Sequence, residues 1–207
     1  MSPAAPPALI LAGGKSSRMG ADKLLLSFGQ DNLLGHIMRR LAPQVSAIAV
    51  NAPSDIPLPP GSRIVPDTLP GQPGPLAGVL AGLRDLDSQA GGPTHLLTVP
   101  SDAPFFPDDL CGRLRAALAD GETIAVASSA GRVHPVFGLW PSSLADDLEA
   151  WLGDPSHRRV SDFLARHRVE IVVWDALPTL LGPLDPFMNV NTPAELEEAR
   201  RFLEVLR

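Results

Sequence analysis

A glycine-rich loop that directly follows a short apolar strand constrains the fold of this chain more than any other feature of its sequence. Residues 8–12 read Ala-Leu-Ile-Leu-Ala, a run that is too short for an ordinary helix and apolar enough for a strand buried on both faces. Gly13 and Gly14 follow, and they let the backbone turn sharply and bring its N–H groups close to a ligand. This order predicts a loop that binds phosphate groups at a strand end.

Three cations lie in the same stretch of the chain. Lys15 and Lys23 supply positive point charges, and Arg18 can contact a phosphate group through two N–H groups at once. A nucleoside triphosphate requires this combination, so we favour a triphosphate site over a plain surface loop. The spacing contains neither G-x-x-x-x-G-K-[ST] nor G-x-G-x-x-G, which excludes an ordinary P-loop and a dinucleotide fingerprint.

Length and charge narrow the class of protein. A chain of 207 residues that is 44% hydrophobic can fill one core but is short for two, so we expect a disordered lead-in at residues 1–7 and a single domain at residues 8–207. A formal net charge of −6 argues against nucleic-acid binding, which usually needs a basic face. The sequence has no membrane-spanning apolar stretch and no secretory signal, so we expect a cytoplasmic protein that does not bind membranes.

Apolar strands alternate with amphipathic helices along the chain. This alternation predicts a three-layer, Rossmann-like α/β fold with a mostly parallel mixed sheet, in which a hairpin around His134 is an antiparallel addition. In such a sheet, the residues just beyond the carboxyl ends of the strands form the ligand crevice. Helices are predicted at residues 33–41, 75–83, 107–119, 144–152 and 160–167.

Polar residues and glycines fall at this predicted crevice. Asn51 ends a predicted strand and can contact a sugar or base, although an asparagine that only starts a turn explains it equally well. Asp67 follows the next strand and lies before a helix start that can face a base.

Glycine inside a helix costs up to about 1 kcal/mol of helix stability relative to alanine, so its repeated use indicates close packing or close ligand approach. We assign packing to Gly82 and ligand approach to Gly78.

Asp102 is the best candidate metal ligand in the sequence. It lies in Pro-Ser-Asp-Ala-Pro, directly after a buried strand at residues 95–99. Magnesium prefers hard oxygen ligands and commonly uses one or two carboxylates together with substrate phosphates. The competing interpretation is a helix cap, but Asp108 and Asp109 can serve the dipole of the following helix. We therefore predict Mg²⁺ at Asp102, with Mn²⁺ as an alternative ion.

Other polar residues can bind a second, anionic substrate. Arg158 and Arg159 are adjacent cations in a loop, where solvation is their usual state. His134 begins a strand and can contact the substrate or transfer a proton, but a structural hydrogen bond explains it at least as well. Asn189 and Asn191 alternate along an extended segment, so their side chains lie on one side of it and can hold a metal-bound water or a phosphate.

The residues that follow are a strong helix-start signal. Thr192 can cap the helix, Pro193 suits its first position and Glu195 completes a Thr-x-x-Glu capping box. This signal fully explains Thr192 and Glu195. It does not explain the two asparagines, whose alternative role is to satisfy the backbone of a turn.

Taken together, these motifs resemble those of the molybdenum cofactor guanylyltransferase family, usually called MobA. The stretch from Leu11 to Lys23, Leu-Ala-Gly-Gly-x-Ser-x-Arg-Met-Gly-x-Asp-Lys, is similar to the family's nucleotide signature. The later motifs follow in the family's order: Gly74-Pro-Leu-Ala-Gly78, Pro100-x-Asp102-x-Pro104, His134-Pro135 and Asn189-Val-Asn-Thr-Pro193. The first motif alone indicates only the wider nucleotidyltransferase superfamily, whereas its combination with the last is far more specific.

The resemblance implies transfer of GMP from GTP to the terminal phosphate of molybdopterin that carries molybdenum, with release of pyrophosphate. The positions that match the family's GTP contacts are Leu11, Ala12, Gly13, Lys23, Asn51, Asp67 and Asp102, and the resemblance also places magnesium on Asp102. Related cytidylyltransferases tend to have Leu-Ala-Ala-Gly, so Gly13 favours guanine. Gly14, Lys15 and Gly78 complete our predicted nucleotide site, and Arg18, Lys23 and Asp102 are our predicted catalytic residues.

The residues that bind the acceptor substrate and the protein partners are also expectations. We assign the acceptor to His134, Arg158, Arg159, Asn189 and Asn191, and we expect molybdenum-insertion proteins and molybdoenzyme chaperones as protein partners. One alternative is a nucleotidyltransferase that acts on a sugar phosphate or transfers a cytidylyl group. Another is a non-catalytic protein that delivers the cofactor, against which the presence of Lys23 and Asp102 argues.

Overall fold

The central sheet is built on short apolar strands. The computed structural model describes residues 5–12, 22–53, 58, 62–69, 74–88 and 94–206, with the side chains of residues 22 and 23 excepted. Its strands are β1 (Ala8–Leu11), β2 (Ser27–Phe28), β3 (Asp31–Asn32), β4 (Ile48–Asn51), β5 (Arg63–Ile64), β6 (His95–Pro100), β7 (Ile124–Ser129), β8 (Arg132–Pro141), β9 (Val169–Trp174), β10 (Leu177–Thr179) and β11 (Gly182–Leu184).

Helices connect these strands. They are α1 (Asp22–Leu25), α2 (Leu33–Leu41), α3 (Pro75–Asp87), α4 (Leu110–Ala116), α5 (Ala145–Leu152), α6 (Val160–Leu164) and α7 (Pro193–Val205), with 3₁₀ turns at Ala42–Gln44 and Ser142–Leu144. Within the part of the chain that the structure describes, no helix is both long and apolar enough to cross a membrane.

Seven strands pair in the order β5-β4-β1-β6-β8-β7-β9. β1 runs parallel to both of its neighbours, with Ile10 opposite Val50 on one side and Val99 on the other. β8 runs antiparallel to both β6 and β7, so β6 and β7 point the same way. The mostly parallel mixed sheet is therefore confirmed, and its antiparallel strand is the predicted one. The carboxyl ends of β1, β4, β6 and β7 all lie at one edge of the sheet, which we call the upper edge.

Helices cover both faces of the sheet, as the three-layer prediction requires. Ile10 is fully buried on the face that packs against α2, α4 and α7. Leu9 is buried on the opposite face, where α3, α5 and α6 pack. Successive residues of a strand point to opposite faces, so a strand covered on both sides needs the continuous apolar run that β1 has.

Two predicted helices are shorter than expected. The helix predicted at residues 107–119 is α4. Arg40 of α2 binds the carbonyl group of Phe106, and Gln44 of the following 3₁₀ turn binds that of Pro107, which holds the residues before α4 in turns. The helix predicted at residues 160–167 ends at Leu164. There the N–H groups of Arg166 and His167 bond to the residue three positions back, which tightens the chain into a turn.

The expected lead-in also ends earlier than predicted. The carbonyl of Pro6 accepts a hydrogen bond from Ser46 N at 3.1 Å, and that of Pro7 accepts one from Leu97 N at 3.0 Å. These bonds extend the contacts of β1 towards its neighbouring strands. The lead-in prediction is therefore wrong for these two residues, and residues 1–4 lie outside those described.

Candidate functional site

Part of the predicted site lies outside the described residues. This part comprises Gly13, Gly14, Lys15, Arg18 and the side chain of Lys23. The remaining predicted residues can be placed, and most of them lie at the upper edge of the sheet.

The ends of three parallel strands meet at this edge. Ala12 N donates to Asn51 O at 2.9 Å, which joins the ends of β1 and β4. Ser101 N donates to Leu11 O at 3.1 Å, which joins β1 to the first residue after β6. The structure therefore brings Leu11, Ala12, Asn51 and the segment that carries Asp102 together, as expected for residues that follow parallel strands.

Asn51 holds Asp67 in place at this edge. The Asn51 side chain is only 3% exposed, and its Nδ2 donates to Val65 O at 3.0 Å and to Asp67 Oδ1 at 2.8 Å. These two bonds engage both amide protons. Asp67 itself is exposed, so of the two side chains its carboxylate is the one presented to a ligand.

Gly78 packs against the same pair of strand ends. A Cβ atom at Gly78 would lie well under 3.0 Å from Asn51 Oδ1 and 2.7 Å from Leu11 Cδ2. Close packing, the alternative explanation, is therefore present at Gly78, because the Asn51 side chain occupies the space where a Cβ atom would lie, and the place of Gly78 in the nucleotide site stays a prediction. The packing role of Gly82 is confirmed, since a Cβ atom there would lie 2.5 Å from Leu96 Cδ2 and 2.6 Å from Leu9 Cδ2.

Asp102 is bonded to the segment that carries the two asparagines. Its backbone oxygen accepts a hydrogen bond from Val190 N at 2.7 Å. Val190 is fully buried, whereas Asn189 and Asn191 are exposed, which is the alternation that the sequence predicted. Both carboxamides therefore lie on the open side of a segment that is fixed to the Asp102 loop.

The helix start after these asparagines is confirmed in detail. Thr192 Oγ1 accepts from Glu195 N at 3.2 Å, and Glu195 Oε2 accepts from Thr192 N at 2.9 Å, which forms the predicted capping box of α7. Glu195 Oε2 also accepts from Asn191 N at 2.6 Å. The backbone of Asn191 is thereby held by the helix that follows it.

A divalent cation fits this arrangement only with help from a substrate. Among the described residues there is no group of three or more His, Cys, Asp and Glu side chains that could hold a metal ion. Asp102 is half-buried at the mouth of the site, and the exposed amides of Asn189 and Asn191 are on a segment bonded to it. One carboxylate with nearby oxygen donors suits Mg²⁺, which commonly takes its other ligands from phosphates and water.

Two residues of α2 and one residue of the 3₁₀ turn after it hold the loop that follows Asp102. His36 Nε2 donates to Pro104 O at 3.1 Å, Arg40 Nε to Phe106 O, and Gln44 Nε2 to Pro107 O at 3.1 Å. Because a carbonyl only accepts, Nε2 of His36 carries its proton. The spacing of four residues between these side chains, which places them on one face of a helix, is the signal that points to them.

We expect His36 to make folding stability depend on pH. Burial lowers the pKa of His36, the hydrogen bond to Pro104 O opposes this, and the charges of Arg40 and Arg39 lower it further. As the pH falls from 7.5 to 5.5, the imidazole is protonated in the unfolded chain before it is in the folded chain, so stability falls. Urea unfolding should show a shallower slope of unfolding free energy against pH for His36→Gln over this range.

The slope should not vanish in that variant. Burial also lowers the pKa of His95 and of His134, so both contribute a loss of stability in the same direction and the same pH range. A slope identical to that of the unchanged protein would show that His36 binds protons equally in the folded and unfolded chains.

His134 makes the structural hydrogen bond that the sequence left as one of two interpretations. Its Nε2 lies 2.8 Å from Ser129 Oγ, and its ring stacks on Phe187 with centroids 4.9 Å apart. Burial lowers the pKa of His134, while the charge of Asp185 opposes this shift. Ser129 and Asp185 were absent from the predicted site, and no local pattern in the sequence marks them.

Arg158 and Arg159 lie on the connection from α5 to α6, and their place in the acceptor site stays a prediction. Both are exposed on the connection from α5 to α6, and Arg158 Nε donates locally to Pro155 O at 2.7 Å. α5 starts beside Pro141, which pairs with His95 at the lower edge of the sheet, and its eight residues rise only about 12 Å.

The chain matches known proteins over most of its length. The family model described as MobA-like NTP transferase domain matches residues 8–171. A molybdenum cofactor guanylyltransferase of Sinorhizobium fredii is 52% identical over 202 residues, which cover 97% of this chain and 93% of that protein.

Solved structures show the same fold. The molybdopterin-guanine dinucleotide biosynthesis protein A of Archaeoglobus fulgidus superposes with a TM-score of 0.69 at 19% identity and covers 96% of this chain and 98% of its own. A Mycobacterium tuberculosis protein solved in complex with manganese superposes with a TM-score of 0.65 at 16% identity, with coverage of 96% and 98%. At these identities the likeness confirms the Rossmann-like α/β fold alone.

Proposed function

Since this chain belongs to the molybdenum cofactor guanylyltransferase family, a family of nucleotidyltransferases, we propose that it transfers GMP from GTP to molybdenum-loaded molybdopterin and releases pyrophosphate. The observation that best supports this proposal is the meeting of the predicted GTP contacts at the upper edge, where Ala12 bonds to Asn51 and Ser101 bonds to Leu11. The relative from Sinorhizobium fredii is named for the same transfer.

Charge determines what the protein must do in this reaction. The attacking phosphate and the triphosphate are both anionic, so the site must neutralise them and align the nucleophile, the α-phosphorus and the leaving pyrophosphate. Bound Mg²⁺, or Mn²⁺ in its place, supplies Lewis-acid neutralisation of the phosphates. We assign the ion to Asp102 and the triphosphate to Lys15, Arg18 and Lys23. A phosphate monoester is largely ionised at neutral pH, so no general base is required.

The nucleoside side of the site is assigned to Asp67. An ionised carboxylate only accepts hydrogen bonds, so it can receive them from a ribose hydroxyl or from N–H groups of the base. The bond from Asn51 Nδ2 fixes one carboxylate oxygen and orients the other. Asn51 therefore acts on the nucleotide through Asp67 and through its own backbone.

The acceptor side is assigned first to Asn189 and Asn191. Their segment is bonded to Asp102, whereas Arg158 makes a local contact and both arginines lie on the α5–α6 connection. The two arginines stay a weaker part of the proposed acceptor site. Cytoplasmic residence and the protein partners named above stay predictions.

The test is pyrophosphate release with Mg²⁺ and molybdenum-loaded molybdopterin, measured separately with GTP, CTP, ATP and UTP. We expect release that depends on the acceptor and occurs with GTP in large excess over the other nucleotides. Preference for CTP would instead support cytidylyl transfer, and turnover only with a sugar phosphate would support that alternative. Nucleotide binding without release from any of the four would support a delivery protein. Reactions without acceptor, and with EDTA, are the controls.

A further inference from the structure

A buried hydroxyl joins the β7–β8 hairpin to the segment that precedes α7. Ser129 ends β7 and is 1% exposed. Its Oγ donates to Asp185 Oδ1 at 2.6 Å and lies 2.8 Å from His134 Nε2. Asp185 Oδ1 also accepts from Phe187 N at 2.9 Å. These four residues form one continuous hydrogen-bonded chain, which we call the hairpin network.

The direction of the protons excludes a nucleophilic role for Ser129. In a hydrolase triad the histidine lies between the serine and the carboxylate, so it can take the hydroxyl proton. In the hairpin network the serine lies between the other two and directs its proton at Asp185. His134 Nε2 then donates to Ser129 Oγ, which fixes its tautomer. The network is therefore built to hold groups in place rather than to activate one.

The network fixes one end of the segment at residues 185–190. Asp185 accepts hydrogen bonds from Ser129 of the hairpin and from Phe187 N. The Phe187 ring packs against the rings of His134 and Phe137, with ring centroids 4.9 Å and 4.8 Å apart. The other end is fixed where Val190 N donates to Asp102 O at 2.7 Å. Asn189 lies between these two attachments with an exposed side chain.

We propose that Ser129, His134 and Asp185 are positioning residues, which set the amide of Asn189 beside Asp102 so that it can bind the phosphate monoester of the acceptor. The inference rests on the proposed function for the identity of the acceptor. It changes the role of His134 from direct contact with the acceptor to support of the segment that makes the contact.

The chain supplies a matched control for Asp185. Asp120 Oδ1 accepts hydrogen bonds from the hydroxyl of Thr123 at 2.7 Å and from Glu122 N at 3.0 Å. Asp185 Oδ1 has the same two kinds of donor, a hydroxyl group and a backbone N–H group. Asp120 lies before β7, at the lower edge of the sheet, and it also pairs with Arg168 at 2.8 Å. Removing either carboxylate therefore breaks one bond from a hydroxyl group and one from a backbone N–H group, and removing Asp120 also breaks its exposed ion pair with Arg168. Only the bonds of Asp185 lie at the upper edge.

The experiment compares Asp185→Ala, Ser129→Ala and the control Asp120→Ala in the full chain. We expect the first two to raise KM for molybdenum-loaded molybdopterin by about tenfold and to leave KM for GTP within about twofold. Asp120→Ala should leave both values within about twofold. Asp185→Asn should restore most of the acceptor KM, because a carboxamide oxygen can still accept both hydrogen bonds.

Hydrogen exchange of the free protein provides a readout that is independent of turnover. The backbone amides of residues 187–191 should exchange faster in Asp185→Ala and Ser129→Ala, and not in Asp120→Ala. Unchanged exchange there, or an equal rise of both KM values, would overturn the inference. If the unchanged protein shows no guanylyl transfer at all, the proposed function fails, and the exchange result still decides whether the network holds this segment.

Discussion

Replacing Asp102 with asparagine is expected to lower kcat for guanylyl transfer by about a thousandfold or more, with the fold intact. The substitution removes the negative charge that a divalent cation needs, and metal stabilisation of phosphoryl charge contributes several kcal/mol to such a transition state. The bond that Val190 N makes is to the backbone oxygen of Asp102, so it is kept. Kinetics over a range of Mg²⁺ concentrations, together with the thermal midpoint, would measure both effects.

Asp108→Asn is the control for this substitution. Asp108 lies six residues after Asp102 in the sequence, and its side chain is 76% exposed. Its carboxylate forms an ion pair with Arg40, with a nitrogen–oxygen distance of 3.3 Å. Exposed ion pairs contribute little, so we expect turnover within about twofold of the unchanged protein. Near-normal turnover of Asp102→Asn would rule out the metal role of Asp102. Equal losses in both variants would instead point to a general requirement for acidic charge near the site.

The parts of the fold that were predicted correctly have their signals in consecutive residues. The apolar run of β1 requires cover on both faces, and the Thr192 and Glu195 pair specifies a helix start by local hydrogen bonds alone. The position of Asp102 at a strand end follows from the same local reasoning, because parallel strands end at a common edge.

The contacts that complete the site were not predictable in the same way. His36 bonds to Pro104, Val190 to Asp102 and Ser129 to Asp185, and each bond joins residues that are far apart in sequence. Such pairs depend on how the layers pack, which a single sequence does not encode in any local pattern.

Gly78 shows what a local signal leaves undecided. A glycine inside a helix indicates that something approaches closely, and both a ligand and a neighbouring side chain satisfy that requirement. At Gly82 the neighbours are Leu96 and Leu9, and at Gly78 they are Asn51 and Leu11. One turn of α3 thus separates a glycine packed only on the core from one packed on the candidate nucleotide site.

This difference leads to the second large effect, a loss of nucleotide affinity in Gly78→Ala. The added methyl group displaces the Asn51 side chain, which is held by its bonds to Val65 O and Asp67 Oδ1 and cannot move without breaking them. Asp67 then loses the donor that orients it. We expect the Kd for GTP with Mg²⁺, measured by calorimetry, to rise by about tenfold or more.

Gly82→Ala separates this effect from a general loss of stability. Its methyl group meets Leu96 and Leu9 in the core, so overpacking should cost both variants about 1–3 kcal/mol of unfolding free energy, partly offset by the higher helix propensity of alanine. GTP affinity should fall only in Gly78→Ala. If the two variants lose affinity equally, the Asn51–Asp67 pair does not orient the nucleotide, and the weaker binding reflects displacement of α3 as a whole.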